Sequence, residues 1–160
     1  MTRAKQSAGL LVYRIRGGAL EVFLAHPGGP FWVRRDLGAW TIPKGLCEPG
    51  EDLLATAKRE FAEETGIHVD GEFRDLGEFR QPDGKRIRVW AIERDVDPDR
   101  LVSNTFDLEW PPWSGVRRQF PEIDRAAWFG VEEALAKILK GQRPAIERLR
   151  ELLPEGRNIL

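Results

Sequence analysis

Residues 45–67 read GLCEPGEDLLATAKREFAEETGI, a stretch that changes from a glycine- and proline-bent loop to a helical pattern. Apolar residues recur with helical spacing between Leu54 and Phe61, and Gly66 stops the pattern. We therefore predict a loop over residues 43–50, followed by a helix from Glu51 to about Thr65.

Three carboxylates stand within one turn of this predicted helix. Glu60, Glu63 and Glu64 are spaced i, i+3 and i+4, so their side chains project from one helix face. One interpretation is an ordinary solvated acidic face. The other is a cation site, because Mg²⁺ and Mn²⁺ accept hard oxygen ligands of this kind. The cluster alone leaves both interpretations open.

The residues around the cluster favour the cation site. The stretch resembles the signature of the Nudix hydrolases, G-x5-E-x7-R-E-U-x-E-E-x-G-U with U apolar, and it matches at every fixed position. Seven identities at about one in fifteen each arise by chance on the order of once in 10⁸ positions. The approach to the stretch, residues 40–45, looks like that of the dinucleoside polyphosphate (diadenosine tetraphosphate) hydrolase and nucleoside triphosphate pyrophosphohydrolase branch.

The resemblance implies an α/β (α+β) fold: a Nudix-type α/β/α sandwich with a mixed sheet and a catalytic loop–helix–loop, in one domain over residues 1–160. The sequence pattern agrees with alternating strands and helices. A hairpin is expected around Gly17-Gly18, and residues 95–121 show no clear period. Strands are predicted over residues 8–15, 20–26, 39–42, 72–80, 85–93 and 123–129, and C-terminal helices over about 131–153.

The resemblance also implies hydrolysis of a phosphoanhydride bond in a nucleoside diphosphate linked to another group X, with Mg²⁺ (or Mn²⁺) as cofactor. A dinucleoside polyphosphate or a nucleoside triphosphate is the expected substrate. The implied metal ligands are Gly45, Glu60, Glu63, Glu64 and Glu122.

The roles of the candidate catalytic residues Glu60, Glu64 and Arg59 differ within this set. Glu60 is either a ligand or the general base, and Glu122 is either a fourth ligand or an alternative base. We expect Arg59 to pair with a carboxylate, for which Glu51 is a candidate, and to fix the helix.

Two residues before the stretch are candidates for substrate binding. Lys44 can neutralise a phosphate, although a solvated loop lysine is equally consistent with its position. Trp40 can stack on a base, although it also fits an aromatic residue of the core. Further rings in irregular segments could stack on a purine or pack together as a lid, and neighbouring arginines could clamp phosphates. These residues are Phe31, Trp32, Trp110 and Trp113, with Arg34, Arg35, Arg117 and Arg118.

Composition excludes several other classes of protein. The chain has 160 residues, a net charge of -1 and one cysteine, Cys47. A secreted disulfide scaffold and a polybasic nucleic-acid coat are therefore not expected, and no apolar run is long enough to span a bilayer. We expect a cytoplasmic monomer or homodimer that binds a nucleotide as a small molecule, with no nucleic-acid polymer and no membrane as partner.

Two rival functions are consistent with paired acids. A non-catalytic nucleotide sensor of the same fold would be expected to carry a broken acidic cluster, whereas all three glutamates are present. A glycosidase also uses two carboxylates, but it does not require them on one helical turn, and its activity would survive chelation.

Overall fold

The computed structural model describes residues 6–153, and its main sheet is built on both edges of β1 (Gln6–Arg16). One edge pairs in parallel with β5 (Arg86–Glu93). The other edge pairs antiparallel with β3 (Lys44–Leu46) near the start of β1 and with β2 (Ala19–Pro27) near its end. One long strand therefore holds the loop before the predicted helix next to the first hairpin.

Two more strands complete this mixed sheet. β4 (Arg74–Arg80) pairs antiparallel with β5, and β8 (Ile123–Gly130) pairs antiparallel with β2. The order is β4–β5–β1–β2–β8, with β3 beside β1. The turn between β1 and β2 has positive φ at both Gly17 (59°) and Gly18 (81°), which confirms the predicted hairpin and explains its glycines.

Helices cover both faces of the sheet. α1 (Leu53–Thr65) buries Ala57 and Phe61 against one face. α2 (Val131–Lys137) and α3 (Arg143–Leu152) pack on the other face. The alternation of side chains along β1 supplies both layers, because neighbouring residues of a strand point to opposite faces. The predicted α/β/α sandwich is confirmed.

Outside these layers the structure differs from the sequence pattern at two places. Residues 95–121 are not structureless: after a short 3₁₀ turn at Pro98–Arg100, β6 (Thr105–Glu109) and β7 (Arg117–Pro121) form a separate antiparallel hairpin. Proline and tryptophan residues cluster in the tip of this hairpin, which hid its period from the sequence pattern.

The strand before α1 also differs from the prediction. Residues 39–42 make isolated bridges, whereas the predicted loop contains β3. Gly9 of β1 allows this close approach, since a Cβ at Gly9 would lie 2.7 Å from the carbonyl oxygen of Pro43 and 2.9 Å from the Cβ of Lys44. A second 3₁₀ turn, Lys140–Gln142, joins α2 to α3. Across residues 6–153, no helix has the length and apolar character needed to cross a membrane.

Candidate active site

Helix α1 is fixed at both ends. At its start the side chain of Asp52 accepts a hydrogen bond from the backbone N–H of Ala55, at 3.2 Å. At its end Gly66 adopts a left-handed conformation, with φ of 73°, which a residue with a side chain disfavours. The caps therefore fix the two ends of α1, and its buried Ala57 and Phe61 place the acidic turn relative to the sheet.

Gly45 of β3 lies directly against Glu60 of α1. A Cβ at Gly45 would overlap with the carboxylate of Glu60. Gly45 is not among the glycines with positive φ, so this position requires the absence of a side chain rather than an unusual backbone. The first glycine of the quoted stretch thus makes room for one of its glutamates.

Arg59 joins the loop to the acidic turn. Its Nε and Nη2 donate to the two carboxylate oxygens of Glu51, at 2.8 and 2.9 Å. Its Nη1 donates to Glu60 at 2.9 Å and to Glu63 at 3.3 Å. The backbone carbonyl of Leu46 accepts a further hydrogen bond from Nη2 at 3.3 Å. The predicted pair of Arg59 and Glu51 is present, and it is bidentate.

Glu51 is held as a carboxylate by its partners. The two hydrogen bonds from Arg59, with others from the Thr56 hydroxyl and the backbone N–H of Glu48, lower the pKa of Glu51 to about 2. The same contacts raise the pKa of the Arg59 guanidinium. The pair therefore stays charged at any physiological pH.

The surroundings of Glu64, unlike those of Glu51, disfavour the charged form of its carboxyl group. Its side chain is 8% exposed. Burial, reinforced by the nearby charge of Glu60, raises the pKa of Glu64 from 4.5 to about 8. Lys44 opposes this shift through its charge and through a backbone hydrogen bond to the carboxylate. A second positive charge near Glu64 would therefore stabilise its ionised form.

Glu60 shows a weaker form of the same effect. Burial raises the pKa of Glu60, while Arg59 pulls it down and the charges of Glu63 and Glu122 raise it further. Neighbours that shift the pKa of one carboxylate in opposite directions are typical of functional sites, where carboxylates lie closer together than folding alone favours.

The glutamates of α1 line a cleft of about 460 Å³ together with Glu122. Glu122 reaches this cleft through the base of the β6–β7 hairpin. The backbone N–H of Glu122 donates to the carbonyl of Asn104 at 2.8 Å, and the N–H of Asn104 donates to the carbonyl of Glu63 at 2.9 Å. Backbone hydrogen bonds thus hold Glu63, Asn104 and Glu122 side by side at the edge of the cleft.

The cleft is strongly acidic. Among the described residues that line it, four are glutamates and Lys44 is the one with a positive charge. The remaining lining is polar or apolar: Pro27, Trp32, Thr41, Gly45, Asn104, Ile123 and Leu139. An anionic ligand would be repelled here unless cations accompanied it.

The two substrate-binding candidates have different positions. Lys44 lines the cleft. Trp40 does not: it is 4% exposed in the core, its Nε1 donates to Asp36 at 2.8 Å, and its ring packs edge-on against Phe129 and His26. The expectation that Trp40 stacks on a base is therefore corrected, because both its ring and its polar atom are already engaged inside the protein.

Sequence reasoning missed Asn104 and Thr41 at the cleft. Asn104 follows the 3₁₀ turn in a segment without periodicity, so its position depends on the hairpin that the sequence did not reveal. Thr41 lies in the strand predicted over residues 39–42, and its hydroxyl donates to the carbonyl of Ile42 at 2.9 Å. No sequence signal distinguishes either residue from an ordinary polar loop residue.

Buried polar side chains support the loops around the cleft. The Oε1 of Gln142 accepts a hydrogen bond from the backbone N–H of Ile42 at 2.8 Å, and its Nε2 donates to the hydroxyl of Thr41 at 3.0 Å. His26 is also fully buried; its Nδ1 lies 2.8 Å from a carboxylate oxygen of Asp124 and its Nε2 lies 2.6 Å from the carbonyl of Arg35. These contacts fix the chain on both sides of Trp40.

The oxygen donors of the cleft fit a hard divalent cation. Within residues 6–153, no three histidine, cysteine or acidic side chains are gathered into a ready-made metal cage. Mg²⁺ does not require one, since it typically takes one or two carboxylates and completes its shell with water and substrate phosphates. The crowded carboxylates Glu60 and Glu64 are the donors whose ionisation such a cation would favour.

The comparisons with known proteins define the class. The model of the NUDIX domain family matches residues 4–149. The chain therefore belongs to the Nudix family, and the resemblance found in the sequence is confirmed.

Relatives within the family extend this assignment. The asymmetrical bis(5′-nucleosyl)-tetraphosphatase of Rattus norvegicus is 30% identical over 128 residues, which cover 76% of this chain and 71% of the rat protein. The protein called nucleoside diphosphate-linked moiety X motif 6 of Xenopus laevis is 51% identical over 68 residues, 40% of this chain and 30% of the frog protein. The family model and the tetraphosphatase relatives indicate a hydrolase that acts on pyrophosphate bonds.

A solved structure supports the fold. The Ap4A hydrolase of C. elegans superposes with a TM-score of 0.63 at 21% identity, over 95% of this chain and 100% of that chain. At this identity the similarity establishes the architecture alone.

Proposed function

We propose that the chain is a Mg²⁺- or Mn²⁺-dependent hydrolase that cleaves a phosphoanhydride bond of a nucleoside diphosphate linked to X, with dinucleoside polyphosphates or nucleoside triphosphates as its substrates. The observation that carries the proposal is the acidic cleft, where Glu60, Glu63 and Glu64 of α1 lie beside Glu122 of the hairpin base. The tetraphosphatase relatives support the substrate class.

The proposed ligands are Gly45, Glu60, Glu63, Glu64 and Glu122. When bound there, a divalent cation would neutralise phosphate oxygens and lower the pKa of a coordinated water. Glu64 suits a ligand because burial makes its carboxylate depend on an added positive charge. Lys44, on the same cleft, would hold a phosphate oxygen by its ammonium group.

The remaining residues would position the water and move its proton. Glu60 and Glu122 are alternatives for the remaining role: whichever of the two does not bind the cation would accept the proton, and the raised pKa of Glu60, caused by burial, suits a general base. Arg59 would act by position, because its bidentate bond to Glu51 holds the loop and the helix in one geometry.

The test is a substrate panel with Mg²⁺ in ¹⁸O-labelled water: diadenosine tetraphosphate, nucleoside triphosphates, ADP-ribose, nucleotide sugars and NADH, with products identified by mass. We expect turnover of the dinucleoside polyphosphate or of triphosphates, with the label in one phosphorylated product. Tight nucleotide binding without turnover of any substrate would favour the sensor instead.

A further inference from the structure

The β6–β7 hairpin and its tip, residues 105–121, form an arm outside the main sheet. Its two strands make a sheet of their own. No residue of the arm is fully buried. An isolated two-stranded hairpin is at best marginally stable. Because its aromatic rings stay half exposed, they do not form a hydrophobic core within the arm.

The register of the arm gathers its apolar side chains on one face. Phe106 pairs with Phe120, and Leu108 pairs with Arg118, so these four side chains share a face with Trp110 two residues further on. The opposite face carries polar side chains at the alternate positions. An exposed arginine therefore stands within a row of apolar side chains.

This apolar face meets the loop that follows β2. Phe106 lies against Gly29, where a Cβ would be 3.0 Å from its ring. The rings of Phe31 and Trp110 pack edge to face with centroids 5.3 Å apart, while Phe31 remains 61% exposed. The pair thus offers an aromatic surface to solvent.

The aromatic surface is continuous with the acidic cleft. Trp32, which follows Phe31, lines the cleft. Asn104 and Glu122, which flank the arm, line it as well, and the N–H of Gly28 donates to the carbonyl of Glu122 at 2.9 Å. One wall therefore runs outward from the carboxylates to the ring pair.

Positive side chains are exposed along this wall outside the acidic cleft. Arg118 is exposed on the apolar face, and Arg34 and Arg35 are exposed in the facing loop. A wall with aromatic rings and guanidinium groups fits a planar ring joined to an anionic chain, because bases stack on aromatic rings and guanidinium groups bind phosphate.

We propose that the arm, together with the loop after β2, binds the nucleobase and the outer phosphates of the substrate, with the base stacked on Phe31 and Trp110 and Arg118 beside the phosphate chain. This inference rests on the proposed function, since it extends the ligand whose phosphates lie at the carboxylates. It assigns recognition of the base to a hairpin and a facing loop, neither of which carries a proposed catalytic group.

A second cleft is the rival position for the base. It has a volume of about 760 Å³, and Leu139 lines both it and the acidic cleft. Its lining is mostly apolar and includes Leu37, Lys140 and Arg143, with no aromatic ring among the residues of the described chain that form it. Leu37 is 73% exposed, so Leu37→Ala is a matched control that leaves the core intact.

The experiment compares Phe31→Leu, Trp110→Leu, Trp110→Phe and Arg118→Gln with Leu37→Ala. The measurements are kcat and KM for diadenosine tetraphosphate and ATP, calorimetric affinity for a methylene-bridged ATP analogue with Mg²⁺, and inhibition by inorganic tripolyphosphate. We expect KM and Kd to rise about tenfold in the two leucine variants, the usual scale for losing one stacked base. Turnover number should change less than twofold, and Trp110→Phe should keep most of the affinity.

Base-free tripolyphosphate separates the contributions of ring and charge. Its inhibition should be unchanged in the ring variants and weaker in Arg118→Gln. Unchanged KM and Kd in Phe31→Leu and Trp110→Leu would overturn the proposal, and a rise confined to Leu37→Ala would assign the base to the second cleft. If the unmodified protein hydrolyses no nucleotide with Mg²⁺, the proposed function fails, whereas normal hydrolysis by the ring variants rejects the role of the arm alone.

Discussion

The guanidinium of Arg59 binds both carboxylate oxygens of Glu51, at 2.8 and 2.9 Å, and it also donates to Glu60 at 2.9 Å. A residue in the loop and one in the acidic turn are therefore positioned by the same planar cation. Such a fork fixes geometry more strongly than a single ion pair does.

Glu51→Gln tests this positioning role. The substitution removes one charge of the bidentate pair, so Arg59 turns toward the remaining glutamates and competes for them with a cation. We expect kcat to fall about 10- to 100-fold, as for other residues that orient metal ligands, with the helical circular dichroism retained. Steady-state kinetics at saturating Mg²⁺ measure the effect.

The control is Asp75→Asn, which disrupts a similar bidentate pair with Arg88 between β4 and β5, away from the cleft. Its kcat should match that of the unmodified protein. Equal losses in the two variants would mean that Arg59 and Glu51 contribute only general stability.

Gly45→Ala tests the close contact between β3 and α1. The added methyl group overlaps with the carboxylate of Glu60, which must leave its observed position. Since misplacement of a catalytic group by about 1 Å can cost about 100-fold in rate, we expect a loss of at least tenfold in kcat. Gly130→Ala is the control, because a Cβ there meets nothing within 4 Å. If Gly45→Ala retains full activity, Glu60 does not need its observed position.

Glu64→Gln should stabilise the metal-free protein at high pH. Burial raises the pKa of Glu64 from 4.5, its usual value in an unfolded chain, to about 8. Between these values the folded protein binds more protons than the unfolded one, so the free energy of unfolding falls as pH rises. A neutral glutamine escapes this penalty.

Without metal, we expect the Tm of Glu64→Gln near pH 8 to exceed that of the unmodified protein by at least about 2–4 °C. This difference in Tm should shrink to zero as the pH falls toward 4.5. Thermal melts in EDTA across this range measure it. A variant that is less stable at pH 8 would show that the buried carboxylate is not destabilising. Hydrolysis by the same variant should be lost, a conflict between stability and activity that is common at active sites.

Removal of the metal should abolish hydrolysis without unfolding the protein. EDTA should reduce the rate of hydrolysis to background, and excess Mg²⁺ should restore it. The far-ultraviolet circular dichroism spectrum should stay unchanged. Glu63→Gln should reproduce the loss with little change in Tm, because the side chain of Glu63 is 43% exposed. Undiminished hydrolysis in EDTA would exclude the metal-dependent mechanism.

Gln142→Leu tests the buried support of the cleft. The backbone N–H of Ile42 would lose its acceptor, and an unpaired buried donor costs about 1–3 kcal/mol of stability. Urea unfolding should show this loss. Gln119→Leu, on an exposed position of β7, should leave the free energy of unfolding within about 0.5 kcal/mol. Equal stability of Gln142→Leu and the unmodified protein would show that Gln142 is not needed to hold this loop.

Local patterns predicted the layers of the fold well. The glycine turn between β1 and β2, the acidic turn of α1 and the final helices all follow from short-range spacing and turn chemistry. β3 escaped prediction because it depends on close approach to Gly9, and the arm escaped because prolines and tryptophans interrupt its alternation.

The candidate site was predictable where one helix carries it. The three glutamates of α1 share a turn, and Glu51 and Arg59 both occupy fixed positions of the stretch quoted above. Asn104 is held at the cleft by backbone hydrogen bonds to Glu63 and Glu122, which are far from it in sequence. No spacing in the sequence therefore revealed its position. Trp40 was the opposite case: its place beside the loop was consistent with stacking on a base and with packing in the core, and in the structure its ring packs against Phe129 and His26 in the core.

The most direct test is the binding of Mn²⁺, followed by electron paramagnetic resonance, to the unmodified protein and to Glu64→Gln, each with and without a methylene-bridged nucleotide. We expect saturable binding to the unmodified protein that tightens with the nucleotide, and binding weakened about 10- to 100-fold in the variant. Equal Mn²⁺ affinity in both proteins, with no effect of the nucleotide, would contradict it.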